Sequence, residues 1–211
     1  MKNTKQKIIQ AALKLFNRDG LVNVRLQHIA DEAFVSVGNL AYHYANKEAI
    51  VLTLYQELIQ AQRELLREFR IVPLFDYLDR LLILTFELQQ RYIFFYLDTL
   101  EILRAYPSVQ KAHQLHIQHQ IQQFKAIIDF NVARGVFQPE PQEGFYQQWA
   151  QQVWYSMDSW NTQQRIYGKE TSALADYQSA IWALFIPFFT HLGQREFEQM
   201  KQLRIKQQET K

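Results

Sequence analysis

The stretch from Ile29 to Ile50 constrains this chain most, because its residue pattern predicts two short helices joined by a tight turn. Apolar residues before the turn follow the helical spacing i, i+3, i+4 and i+7 and therefore share one face. These residues are Leu26, Ile29, Ala30 and Ala33. After the turn, Ser36 can cap a second helix, since its side chain can accept a backbone N–H of the first turn.

The second helix has two different faces. Leu40 and Tyr44 lie four residues apart and can face a core. A different face is polar and aromatic and is able to form hydrogen bonds; it consists of Asn39, Tyr42 and His43. Gly38 has no Cβ, so another backbone can approach it closely. This arrangement is typical of a helix-turn-helix motif, whose second helix enters the major groove of DNA.

With these residues identified, the segment resembles the DNA-binding domain of the TetR family of bacterial transcriptional regulators. The family pattern has an apolar first helix, an Ile-Ala pair, a Val-Ser turn, Gly-x-Leu, an aromatic-His-aromatic run and Lys-Glu. The matching residues are Ile9, Ala12, Leu15, Phe16, Gly20, Ile29, Ala30, Val35, Ser36, Gly38, Leu40, Tyr42, His43, Tyr44, Lys47 and Glu48. The spacing holds throughout the first fifty residues, whereas residues 51–211 carry no motif that matches alone.

The resemblance implies an all-α fold of about nine helices in two domains. A three-helix helix-turn-helix domain is expected over residues 1–48, and a helical bundle for ligand binding and dimerisation over residues 49–211. The implied partners are operator DNA, a second copy of the chain and a small-molecule inducer; no cofactor or metal is implied. The expected function is a transcriptional regulator, a repressor that a largely apolar ligand releases.

The resemblance also assigns the DNA contacts. Tyr42, His43 and Lys47 match family positions that hold the phosphate backbone. Val37, Gly38 and Asn39 open the second helix and should approach base edges. The full set of expected DNA-binding residues is Arg25, Gln27, Ser36, Val37, Gly38, Asn39, Tyr42, His43 and Lys47.

Three departures from the family pattern lie in or beside this motif. Phe34 stands in the turn where the family often has Gly. Either it adopts left-handed backbone angles, which would cost roughly 1–2 kcal/mol, or the turn differs here from that of the family. Val24 and Arg25 stand where the family usually has Thr or Ser, so the cap of the first of the two helices is expected to pass to Asn23. Ala41 replaces a common Tyr that touches DNA, so that contact should be absent.

The C-terminal region is rich in aromatic residues, and two interpretations of them remain open. They can form plain core packing, or they can line a cavity for a small molecule between helices. The expected pocket residues are Phe94, Phe95, Tyr96, Asp98, His113, Trp149 and Met157. The spacing of His113, His116 and His119 does not keep all three on one helix face, so a metal site is not expected there.

Dimer formation is expected on the last two long helices, as the family resemblance implies. The candidate interface residues offer large apolar side chains; they are Trp154, Ile181, Trp182, Phe185 and Phe189.

Elsewhere, Asn46 is predicted to cap a helix and Gly135 to end one. Three prolines (Pro73, Pro107 and Pro141) are expected to open helices, and Pro187 is expected to kink one.

Composition narrows the function classes further. The chain has no Cys, which excludes disulfides and thiolate sites and fits a cytoplasmic protein. Residues 1–50 carry seven Lys or Arg against four Asp or Glu, so a small basic excess lies with the helix-turn-helix. No secretory signal, membrane-length apolar run or motif of catalytic residues is recognisable. The alternative is a helical small-molecule-binding protein, or a helical enzyme, that does not bind DNA.

Overall fold

The computed structural model describes residues 4–69 and 74–209, and this part of the chain is all-α. It holds eleven α-helices and one short 3-10 helix, Ile186–Phe188. The α-helices are α1 Thr4–Asp19, α2 Leu26–Glu32, α3 Val37–His43, α4 Lys47–Phe69, α5 Phe75–Arg91, α6 Ile93–Leu97, α7 Thr99–Ala105, α8 Pro107–Ala133, α9 Phe145–Ile166, α10 Leu174–Phe185 and α11 His191–Glu209. In this described part, no helix has the length and apolar content that crossing a membrane requires.

Local signals predict several helix boundaries correctly. The first helix ends before Gly20, whose φ of +77° only a residue without a Cβ adopts easily. Asn46 caps α4, since its Oδ1 accepts the Ala49 N–H at 2.9 Å. Pro107 is the first residue of α8, and Gly135, with φ +77°, follows the end of that helix.

The prediction that Pro141 opens a helix is wrong. The helix α9 begins only at Phe145, after Gly144 with φ +82°. The preceding segment is irregular because Tyr146 binds it from within α9. The Tyr146 hydroxyl donates to the Gln138 carbonyl at 2.6 Å, and its N–H donates to Glu140 at 2.7 Å.

Two helices that the sequence suggests as continuous are interrupted. The apolar helix around residues 92–105 divides at Asp98 into α6 and α7. Pro187 does more than kink its helix: α10 ends at Phe185, Pro187 lies in the 3-10 helix, and α11 begins at His191. These breaks explain why the described part has eleven helices rather than about nine. Pro73 lies outside the described residues.

The described residues form two compact units. The first contains residues 4–62 and 88–116, and thus α1 to α3, most of α4, the end of α5, α6, α7 and the start of α8. Its core joins the helix-turn-helix to α6 within the unit: the Phe16 and Phe94 rings lie 5.3 Å apart. Both are almost fully buried, so the helix-turn-helix does not pack by itself in this structure.

The second unit contains residues 63–69, 74–87 and 117–209. Its core is aromatic, and the Phe75 ring contacts the rings of both Phe137 and Trp182. Glu196 of α11 joins this core to two other elements. Its carboxylate accepts two hydrogen bonds from Arg134, at 2.6 and 2.7 Å, and the Phe75 N–H at 3.1 Å.

A buried carboxylate and a close backbone contact also hold the second unit. Asp79 of α5 accepts the side-chain N–H groups of Gln178 and Trp182, both at 2.9 Å. Arg204 of α11 lies 3.5 Å from the same oxygen. In the first turn of α11, Gly193 lies so close to the Val136 carbonyl that a Cβ would clash with it.

Candidate nucleic-acid interface

The helix-turn-helix is built by local capping and by burial of one side of each helix. Ser36 caps α3, as predicted, because its Oγ accepts the Asn39 N–H at 3.1 Å. Ile29 and Ala30 of α2 and Leu40 of α3 have no exposed surface. The buried sides of the two helices therefore fix which side of α3 faces outward.

The outward side of α3 carries the residues that the sequence assigns to DNA. The Tyr42 side chain is 85% exposed, and its ring meets the His43 ring edge-on at 5.1 Å. Seven of the nine expected DNA-binding residues are exposed: Arg25, Gln27, Ser36, Val37, Gly38, Asn39 and Tyr42. His43 and Lys47 are half-buried. The exposed side offers hydrogen-bonding groups at the N-terminal end of a helix, where base edges and phosphates can be contacted.

The predicted cap of α2 is wrong. Arg25 occupies the N-cap position, and its backbone N–H donates to His28 Nδ1 at 3.3 Å. Asn23 lies too early in the chain for this role, since α2 begins at Leu26. Its amide instead donates to the Asp19 carbonyl at 2.8 Å and so satisfies an acceptor at the end of α1.

Of the two alternatives for the turn between α2 and α3, the structure has the left-handed one. Phe34 has φ +56°, and its side chain is 94% exposed. A left-handed conformation is costly for a residue with a Cβ, and the exposed ring gains little from packing in return. The turn is therefore locally strained.

Replacing Phe34 by Gly should raise the free energy of unfolding by about 0.5–1 kcal/mol. Relief of the left-handed strain contributes roughly 1–2 kcal/mol, and the greater freedom of Gly in the unfolded chain offsets part of it. Urea denaturation measures the difference. Phe34→Ala is the matched control, because it removes the ring but keeps the strained backbone. An equal gain in both variants would assign the effect to the ring.

The ammonium group of Lys47 does not face outward. It donates a hydrogen bond to the Leu21 carbonyl and lies 5.6 Å from the centre of the Phe16 ring. Burial lowers the pKa of Lys47, while the carboxylate of Glu101 acts in the opposite direction. The amine that the sequence assigns to a DNA phosphate is thus occupied within the first unit.

The residues expected to line a ligand pocket are divided between the two units. Phe94, Phe95, Tyr96, Asp98 and His113 belong to the first unit, and Trp149 and Met157 belong to the second. All except Asp98 are buried, in the core cluster of their own unit or beside it.

Among the buried residues of the first unit, His113 has a specific partner. The Tyr55 hydroxyl lies 2.9 Å from its Nδ1, and the Phe95 ring meets the imidazole edge-on at 5.4 Å. Burial lowers the pKa of His113 to about 4, so the imidazole is uncharged at neutral pH. In the described residues, no three His, Asp or Glu side chains are grouped as a metal site requires.

Asp98 and Asn17 have roles in the first unit that the sequence did not indicate. The Asp98 carboxylate accepts the Leu21 N–H at 3.0 Å, on the connection between α1 and α2. The Asn17 side chain donates to the Arg91 carbonyl at 2.9 Å and accepts the Phe94 N–H at 3.2 Å. A lone Asn near the end of an amphipathic helix carries no sequence signal for such contacts.

The expected dimer residues are largely covered by their own chain. Ile181, Trp182 and Phe185 are buried in the core of the second unit, and Trp182 donates to Asp79. Trp154 and Phe189 are half-buried against the same core. Only the latter two keep apolar surface for a partner.

Comparisons with protein families give two matches that together cover most of the chain. A model described as bacterial regulatory proteins of the tetR family matches residues 8–54. A TetR model described as bacterial transcriptional repressor matches residues 54–197. The HTH-type transcriptional regulator RutR of Escherichia coli K12 is 35% identical over 66 residues. That match spans 31% of this chain and only 31% of the length of that relative.

Solved structures share the fold along nearly the whole chain. A TetR-family transcriptional regulator from Marinobacter aquaeolei VT8 superposes with a TM-score of 0.83 at 23% identity, covering 95% of this chain and 98% of that one. The ketosteroid transcriptional regulator KstR2 of Mycobacterium tuberculosis gives 0.68 at 16% identity, with 90% and 97% covered. A transcriptional regulator from Saccharomonospora viridis, solved in complex with choline, gives 0.68 at 19% identity, with 86% and 94% covered.

Proposed function

The chain belongs to the TetR family of bacterial transcriptional regulators, and we propose that it represses transcription by binding operator DNA as a homodimer until a small molecule releases it. Members of this family are DNA-binding regulators rather than enzymes, and they act as dimers. Because its target is chromosomal DNA in a bacterium, we place the protein in the cytoplasm.

The proposal of DNA binding rests on the exposed side of α3. Ser36 caps the helix and Leu40 anchors it in the core, which leaves Asn39 and Tyr42 outside. Side chains exposed in this way contribute little to folding but can contact base edges and phosphates. The experiment is a gel shift with the DNA upstream of the protein's own gene, combined with selection from a randomised DNA library. Failure to enrich any sequence would instead favour a helical small-molecule-binding protein that does not use DNA.

We assign different DNA groups to different residues of the motif. Tyr42 and His43 contact phosphates, and Val37, Gly38 and Asn39 contact base edges. Gln27 and Arg25 approach from α2, although the Gln27 amide also donates to Asp31 at 2.8 Å. Ser36 completes the set from the N-cap of α3. Lys47 does not belong to this set, because its amine points inward to the Leu21 carbonyl.

Replacing Asn39 by Ala should relax the preference at one base position of each half-site. An Asn side chain can form two hydrogen bonds with adenine, and one such pair discriminates by about 1–3 kcal/mol. Selection from the randomised library measures the loss. Tyr42→Ala is the control: it should weaken binding to all sequences alike, because phosphate contacts carry no sequence information. Identical profiles for the two variants would contradict this division of roles.

We place the dimer contact on α9 and on α10 with the 3-10 segment that follows it, by analogy with the family. Trp154 and Phe189 offer partly exposed apolar surface, and Tyr155 and Ile186 add side chains that are 43% and 48% exposed. A second copy would double the number of base contacts and fix the spacing of two half-sites. Light scattering at micromolar concentration should give about twice the 25.2 kDa of the chain. A monomer would contradict the proposal.

We propose that the inducer binds in the first unit among the aromatic residues around His113, and that it is uncharged and largely apolar. The imidazole of His113 is itself uncharged at neutral pH, so it supplies no positive charge to bind an anion. KstR2 is named for ketosteroids, and the Saccharomonospora regulator was solved in complex with choline. Native mass spectrometry of the purified protein identifies a bound compound.

Inducer and operator should weaken each other's binding by the same factor, since coupling between two binding sites is reciprocal. Calorimetric titration of the compound identified by mass spectrometry, with and without operator, tests this. Equal affinities in the two titrations would show that the compound does not control DNA binding.

A further inference from the structure

The backbone of Leu21 is bound on both of its polar groups by side chains from other elements of the first unit. Its N–H donates to Asp98 Oδ2 at 3.0 Å, and its carbonyl accepts the Lys47 ammonium. Leu21 is only 2% exposed, so these partners replace the water that a loop residue would normally bind. We call these two contacts the Leu21 anchor.

We propose that Lys47 and Asp98 are positioning residues for DNA binding, which hold α2 in place through the Leu21 anchor. This inference rests on the proposed function. It departs from the roles that the sequence suggests, since Lys47 would then not contact a phosphate and Asp98 would not contact a ligand.

The surroundings of Lys47 support the inward role. Its side chain lies beside the Phe16 ring, and Glu101 supplies a compensating negative charge. Turning the amine outward to a phosphate would leave the buried Leu21 carbonyl with only the long hydrogen bond from the Val24 N–H, at 3.4 Å. Losing a hydrogen bond from a charged donor to a buried acceptor is costly, so the inward position is favoured as long as the anchor is intact.

The position of Asp98 supports the other half of the anchor. It lies between α6 and α7, where the helix is broken and the side chain faces the α1–α2 connection. A Cβ at Gly20 would lie 3.7 Å from Asp98 Oδ2, which is an ordinary contact distance, so Gly is favoured here by its φ of +77° rather than by lack of space. Asn17 secures the same end of α1 through its two bonds to the backbone of Arg91 and Phe94.

The anchor acts on DNA contacts through a short connection. Only six residues separate α1 from α2, so the position of Leu21 restricts where α2 begins. The residues that open α2, Arg25 and Gln27, are among those assigned to DNA. Loss of the anchor would let α2 and α3 move relative to the core of the first unit. Operator affinity would then fall although no phosphate contact had been removed.

The salt dependence of operator affinity separates the two roles of Lys47. The probe is the DNA sequence that the wild-type protein selects from the randomised library, and the readout is fluorescence anisotropy at several salt concentrations. Lys47→Met keeps the apolar stem on Phe16 and removes the amine. We expect affinity to fall about tenfold at every salt concentration, the change that one hydrogen bond is worth. The slope of log K against log salt should stay as in the wild type.

A phosphate contact predicts a different result. Each phosphate contact that is lost reduces the steepness of that slope by ~0.9. A flatter slope for Lys47→Met would therefore overturn the positioning role. If the wild-type protein selected no DNA at all, the proposed function itself would fail, which is a separate outcome from a change in slope.

Asp98 supplies the matched comparison. Asp98→Ala should lower affinity about as much as Lys47→Met, whereas Asp98→Asn keeps an oxygen that accepts the Leu21 N–H and should bind nearly as the wild type. The double variant Lys47→Met with Asp98→Ala should be little worse than either single one, because both side chains hold the backbone of the same residue, Leu21. Wild-type affinity of Asp98→Ala, or additive losses in the double variant, would overturn the inference.

A second measurement separates loss of the anchor from general unfolding of the variants. Amide hydrogen exchange should show faster exchange of the Leu21 N–H in Asp98→Ala, with the amides of the second unit unchanged. Unchanged exchange at Leu21 would contradict the anchor directly, whatever the DNA affinity. Thermal unfolding of each variant establishes that the affinities compare folded proteins.

Discussion

Replacing Gly38 by Leu should strongly weaken operator binding while the free protein stays folded. Gly38 is exposed on α3, and a Cβ built there meets only the Ser36 Oγ, at 4.0 Å. Leu also favours a helix over Gly by roughly 0.5–1 kcal/mol, so stability should rise slightly. In the complex, the new side chain would occupy the space between the helix backbone and the base edges. We expect operator affinity to fall roughly 100-fold, the loss of one or two specific base contacts.

Fluorescence anisotropy on the selected operator measures this loss, and urea denaturation measures the stability. Gly38→Ala is the graded control, since it adds a single carbon and should give an intermediate affinity at equal or higher stability. Wild-type affinity of Gly38→Leu would show that α3 does not approach DNA through this residue. The two readouts therefore separate a folding defect from a binding defect.

Replacing Asp79 by Ala should lower the free energy of unfolding by about 3 kcal/mol. The change leaves the buried N–H groups of Gln178 and Trp182 without an acceptor and removes the partner of Arg204. Each buried donor without a partner costs about 1–3 kcal/mol. Urea denaturation, followed by tryptophan fluorescence, measures the effect.

Asp79→Asn is the matched control for this variant. It keeps the oxygen that accepts both N–H groups but removes the negative charge, so its loss should be only about 1 kcal/mol. Equal losses for the Ala and Asn variants would show that the charge beside Arg204, rather than the hydrogen-bond acceptor, stabilises the second unit.

Short-range patterns allowed much of the fold to be predicted from the sequence. The caps at Ser36 and Asn46 and the left-handed Gly20 and Gly135 depend on residues within a few positions of each other. The inward Leu40 and outward Tyr42 of α3 follow from helical periodicity alone. Family membership follows from the same run of residues, since their spacing matches a known pattern.

The roles that could not be predicted depend on contacts between distant residues. The Asp98 carboxylate binds a backbone N–H 77 positions away, and Asp79 binds the Trp182 side chain 103 positions away. A local pattern identifies Trp182 as large and apolar, but it cannot say whether its own chain or a partner covers it. For the same reason the sequence could not show that Lys47 points inward, since its acceptor is a backbone carbonyl of Leu21.

Because Gly193 contacts the Val136 carbonyl, the residue aligned with Gly193 in a relative indicates how the last helix of that relative docks. Any larger residue would have to displace α11, which carries Glu196 and Arg204 to their partners in the second unit. A homologue whose last helix docks in this way must therefore have Gly at the aligned position. A homologue with a larger residue there must have moved that helix or rebuilt the turn. A single alignment column thus distinguishes relatives that keep this C-terminal docking from those that have replaced it.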